Sequence, residues 1–125
     1  MKKQEFIDKL NQVQDLMKKE KYRDALLLLD KLKTVEKSMD FDYNLTHKLY
    51  QLDSNTQSLN NQQIILNNIQ KMSKKQSSIS FNELYQIIKE KDNLILPIDI
   101  LRREIELLIL RNLLECKIEG DKIII

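Results

Sequence analysis

The chain has 125 residues, 42% of them hydrophobic and 32% charged, which is the balance of a folded globular protein and excludes a disordered or membrane-embedded one. Its formal net charge is +2, with 11 basic and 10 acidic groups in residues 1–57 and 10 and 9 in residues 58–125, so neither half is a basic arm or an acidic tail. One glycine, one proline and one cysteine exclude a glycine-rich phosphate loop, an internal disulfide and a thiolate metal site, and they favour helices over sheets.

From Gln4 to Lys19 the apolar residues Phe6, Ile7, Leu10, Val13, Leu16 and Met17 recur at spacings of three and four, which predicts an amphipathic helix. A polar break at Lys18–Lys21 precedes Tyr22, Ala25, Leu26, Leu28, Leu29, Leu32 and Val35, which predict a second helix to about Lys37. The two form an antiparallel hairpin. Its apolar stripe must be covered by the rest of the chain or by a second copy, and we expect a homodimer through these helices. Ser38–Tyr43 interrupts the pattern, a short helix follows to Leu52, and Asp53–Thr56 reads as a polar turn separating residues 1–57 from residues 58–125.

From residue 58 onward the expected order is helix (58–74), strand (Ser78–Phe81), helix (Asn82–Lys91), helix (Pro97–Glu115) and a hairpin of Cys116–Glu119 and Lys122–Ile125 about Gly120–Asp121. Ser80 with Glu83 three residues on has the spacing of a capping box. Pro97 suits a first helical turn, where no backbone donor is needed. The fold class is thus mainly α with a small β-sheet (α+β): a helical hairpin, then three helices with a three-stranded sheet in the winged-helix order.

Two stretches carry a resemblance to known families. EKYRDALLLLDKL at residues 20–32 resembles the inter-helix joint of a tetratricopeptide repeat, although Glu20 stands where that family has glycine and no second copy follows at the period of about 34 residues that a solenoid needs. LNNQQIILNNI, ISFNELYQIIKE and LRREIELLILRNLLECKIEGDKIII resemble the carboxy-terminal winged helix of the replication protein A middle subunit and of archaeal replication proteins. They are similar, too, to the winged-helix end of PCI proteins. The resemblance implies membership of the winged-helix superfamily and a protein-binding module.

In DNA-binding winged helices the third helix meets base edges in the major groove. Here its exposed residues would be Asp99, Arg102, Arg103 and Glu106, with Arg102 and Arg103 as guanine readers and Asp99, Glu104 and Glu106 repelling phosphates. The alternative is a solvated face laced by an Arg102–Glu106 pair, worth about 0.2–0.5 kcal/mol. The wing offers Lys117 and Lys122, but its tip, Glu119–Gly120–Asp121, is acidic, which favours a protein partner over DNA.

No chemistry stands out elsewhere. His47 is the only histidine, without a nucleophile turn near any serine, and Asp40 and Asp42 read as solvated caps. Cys116 reads as a buried, inert thiol. The expectation is a small intracellular adaptor of cytoplasm or nucleoid/nucleus, with no catalytic residue, metal, cofactor or membrane association, and with a protein or DNA as partner. It is associated with replication, repair or transcription; its rivals are a PCI-like structural subunit and a dimeric DNA-binding regulator.

Overall fold

The computed structural model describes residues 1–125, arranged as α1 (Lys3–Lys18), α2 (Tyr22–Ser38), α3 (Tyr43–Ser73), β1 (Ser78–Ser80), α4 (Phe81–Asp92), α5 (Ile98–Leu110), β2 (Lys117–Glu119) and β3 (Lys122–Ile124). The protein is therefore mainly helical with one small antiparallel sheet. The chain divides into two compact units, Met1–Asn60 and Asn61–Ile125, and α3 contributes to both.

In the first unit α1 and α2 form the expected helical hairpin. Phe6, Leu10 and Val13 of α1 and Ala25, Leu29 and Leu32 of α2 are fully buried against one another. Truncating one of the larger side chains, as in Leu10→Ala, would cost about 2–5 kcal/mol. α1 ends because Glu20 adopts a left-handed φ of 59°. Its N–H then bonds the Met17 carbonyl at 3.0 Å and the Lys21 N–H bonds the Leu16 carbonyl at 2.9 Å, which satisfies two carbonyls of the last turn. The first half of α3 closes this core with Leu45, Leu49 and Leu52. The hairpin stripe is thus covered within the chain and needs no second copy.

Asp42 starts α3: its Oδ1 accepts from the Leu45 N–H at 3.0 Å, and Lys3 Nζ lies 2.9 Å from its other oxygen. No turn follows at Asp53–Thr56, contrary to the sequence expectation, because α3 runs unbroken for 31 residues. The polar side chains that resemble turn signals are spent on side-chain bonds. Asp53 Oδ2 accepts from Lys33 at 3.2 Å and from Gln57 at 3.0 Å, while Thr56 Oγ1 donates to the Leu52 carbonyl at 2.6 Å. With no glycine or proline in the stretch, the backbone has no reason to leave the helix.

In the second unit the sheet order is β1-β3-β2, with β3 paired antiparallel to both neighbours. Ile79 and Ile123, partners across β1 and β3, are fully buried. They face Ile65 and Ile69 of α3, Leu84 of α4 and Ile105 of α5 in one core. Ser80 caps α4, its Oγ accepting from the Glu83 N–H at 3.1 Å. The Glu83 carboxylate accepts from Gln76 Nε2 at 2.9 Å.

α5 is shorter than expected. It stops at Leu110 rather than Glu115 because Asn112 takes a left-handed φ of 59°, with the Leu113 N–H bonded to the Leu108 carbonyl at 3.0 Å. Gly120, at φ 61°, opens the two-residue connection between Glu119 and Lys122, and it alone of the two central residues has positive φ, the II′ pattern.

Candidate interaction surface

Asp99, Arg102, Arg103 and Glu106 are all exposed on α5, as expected from the apolar spacing of Leu101, Ile105 and Leu108 on its buried side. Arg102 pairs with Glu106 at 3.3 Å, one turn on. Its guanidinium also reaches across to the hairpin, where Nη1 donates to the Gly120 carbonyl at 3.1 Å, and it lies over the Phe81 ring at 5.6 Å from the centroid. Three local partners therefore hold this side chain. Reading a base edge would require giving some of them up.

Glu104 is not beside the exposed arginines as a repelling charge. Its side chain is 1% exposed, since it stands three residues after Leu101 and four before Leu108 and so faces inward. Gln62 Nε2 donates to one carboxylate oxygen at 2.9 Å and Arg103 Nη2 to the other at 3.3 Å. Arg111 in turn donates to the Gln62 side-chain oxygen. The chain Arg111–Gln62–Glu104–Arg103 ties the second half of α3 to the middle of α5 and to the residue that ends it, and a buried charge is tolerable because it is bonded on both oxygens. Arg103 keeps 64% of its side chain in solvent and remains available to a partner. Sequence reasoning missed Gln62 and Arg111; the signal was a glutamate at a core position, which demands a partner.

Lys117 and Lys122 are exposed at the ends of β2 and β3. Lys122 stands opposite Glu119 in the ladder, an acidic neighbour across the strands. The hairpin tip is pinned twice, by Arg102 on Gly120 and by the Phe81 N–H, which donates to the Asp121 carbonyl at 2.9 Å. Cys116 packs half-buried against the core, and burial raises its pKa, which keeps it a thiol.

Beyond Glu106 the α5 surface turns apolar. Leu107 and Leu110, neighbours at i,i+3, are followed by Leu113 past the helix end; Leu110 is 77% and Leu113 49% exposed. The surface thus runs from a charged first half, partly self-neutralised, to leucines in water.

The remaining candidates are local. His47 stacks on Tyr43 with ring centroids 5.8 Å apart. No group of three or more His, Cys, Asp or Glu side chains converges to hold a metal ion. No helix is long and apolar enough to cross a membrane. No family model, curated protein or solved structure matches the chain.

Proposed function

We propose that the protein is a small non-enzymatic adaptor of winged-helix type, whose second unit engages a partner protein through the α5 and hairpin face. The observation that carries this reading is the Arg102 side chain, held at once by Glu106, Gly120 and Phe81. It makes the hairpin a pinned extension of the helix rather than a loose phosphate-gripping wing. The acidic tip and the exposed Leu110 and Leu113 point the same way, because phosphates reject the first and gain nothing from the second. The order of elements and the resemblance to replication protein A and PCI winged helices support the type, and an intracellular setting in replication, repair or transcription agrees with the former.

The test is a pair of measurements on the full chain. Fluorescence anisotropy against labelled single- and double-stranded DNA, at several salt concentrations, is expected to show no binding. A stoichiometric partner is expected to co-purify after nuclease treatment and to be lost with Leu110→Asp. DNA binding that falls linearly on a log–log salt plot and disappears with Arg103→Glu would replace the adaptor with the DNA-binding regulator.

A further inference from the structure

The end of α3 with the turn after it, and α4, run in opposite directions and are joined at two points. Asn68 Nδ2 donates to Asp92 Oδ2 at 3.0 Å at one end, and Gln76 Nε2 donates to Glu83 Oε1 at 2.9 Å at the other. Between these joints is an open groove of about 370 Å³ lined by Lys71, Met72, Lys75, Ile87 and Lys91, with Gln76 and Glu83 closing one end. From Glu83 to Lys91 the α4 wall spans eight residues, about 12 Å of helix.

The lining has two layers. Met72 and Ile87 are half-buried and form an apolar floor, Ile87 outside the residues packed on the core and Met72 a flexible thioether that adapts to what it meets. Lys71, Lys75 and Lys91 are exposed around that floor, three cations against two carboxylates at its ends, Glu83 and Asp92, each already engaged by an amide, Gln76 and Asn68. None of the three lysines is in an ion pair, as is true of most basic residues in the chain. Lysines near helix C-termini complement the helix dipole, which accounts for charge at Lys71 and Lys91. It does not account for their converging with Lys75 on an uncovered apolar floor.

We infer that this groove is a docking site for an acidic peptide segment of a partner protein, one that sets a leucine-like side chain on Met72 and Ile87 and carboxylates against Lys71, Lys75 and Lys91. The inference rests on the adaptor reading and names the chemistry of what the second unit takes. An apolar floor rimmed by flexible point charges matches a peptide that alternates apolar and acidic residues. A nucleic acid would use the lysines and leave the floor unfilled.

The probe is a short fluorescein-labelled peptide alternating glutamates with leucines, titrated by anisotropy against the full-length protein. It should bind, and replacing its leucines by serine or reversing charge with Lys71→Glu, Lys75→Glu and Lys91→Glu together should each weaken binding by about tenfold or more. Ile87→Ser should reproduce the loss with all charges kept. Circular dichroism melts of each variant establish that it is folded. A serine-substituted peptide that binds as well as the parent, or double-stranded DNA competing the peptide off at equal charge, overturns the inference. No peptide binding, with a nuclease-resistant partner still captured through Leu110 and unaffected by the lysine reversals, refutes the groove alone; no peptide binding and no nuclease-resistant partner captured by the unmodified protein would refute the adaptor reading with it.

Discussion

Arg102 on α5 donates to the carbonyl of Gly120, eighteen residues further along, at the tip of the β2–β3 hairpin. The bond joins the exposed face of α5 to the turn that carries the chain's one glycine. Arg102→Ala is expected to leave the core intact, cost about 0.5–1.5 kcal/mol, and speed amide exchange across residues 117–124. Arg102→Lys should not restore protection, because an ammonium has no planar fork to lie on Phe81 while bonding two partners. Normal exchange in the alanine variant would show that the hairpin is held by its ladder alone. For the same reason an Arg102→Glu, Arg103→Glu double variant is a poor probe of binding, since it loosens the hairpin and strips a partner from Glu104.

Glu104 should behave as a structural carboxylate. Glu104→Ala leaves the Gln62 amide without its acceptor and is expected to lower stability by about 1–3 kcal/mol in urea unfolding. Glu104→Gln keeps the size and the acceptor oxygen and should cost less. Equal losses in the two would mean that the negative charge, paired with Arg103, matters more than the hydrogen bonds.

At Glu20 the backbone sits at φ 59°, where a side chain is strained and glycine is not. Glu20→Gly is expected to raise stability by about 0.5–1 kcal/mol, seen as a higher urea midpoint with an unchanged slope. A destabilised glycine variant would show that the freedom gained by the unfolded chain outweighs the strain removed.

Strong acid should loosen the start of α3. The Lys3 ammonium and then the Leu45 N–H hold the Asp42 carboxyl below its usual 3.8. A depressed folded pKa means that the stabilisation is complete above 3.8 and fades as pH falls through the lower folded value. Amide exchange at Leu45 and Thr46 should therefore accelerate under strong acid. Asp42→Asn keeps a capping oxygen and should flatten that dependence; an unaltered acid profile in the asparagine variant would place the titration elsewhere.

The sequence was most legible where a local cause acts alone. Spacing located α1, α2 and α4 to within a residue or two, the Ser80 oxygen does cap α4, and Gly120 is the turn. It misled where a polar side chain has a distant partner. Asp53 looks like a turn former until Lys33, twenty residues back, is seen bonded to it. The apolar residues of α3 do not share one stripe, Leu49 and Leu52 belonging to one core and Ile65 and Ile69 to the other, so periodicity breaks where the backbone does not. The end of α5 was missed because an asparagine, Asn112, does there what a glycine usually does. Of the binding face, the Arg102–Glu106 pair was legible from its spacing, while the Gly120 and Phe81 contacts required the fold. Lys71 and Lys75 carry no signal of their own in the sequence, and only Ile87 and Lys91 on α4 give them a floor and a third charge.

Because the division between the two units falls between Asn60 and Asn61, inside the helix Tyr43–Ser73, no loop exists there for a protease to enter or an insertion to lengthen. Severing the chain at that point would orphan about four carbonyls on one fragment and four N–H groups on the other. The two halves can be dissected only by choosing a new helix end and giving it a cap, such as an aspartate or serine placed a turn before Asn61, so that the carboxy-terminal piece starts from a finished helix rather than a broken one.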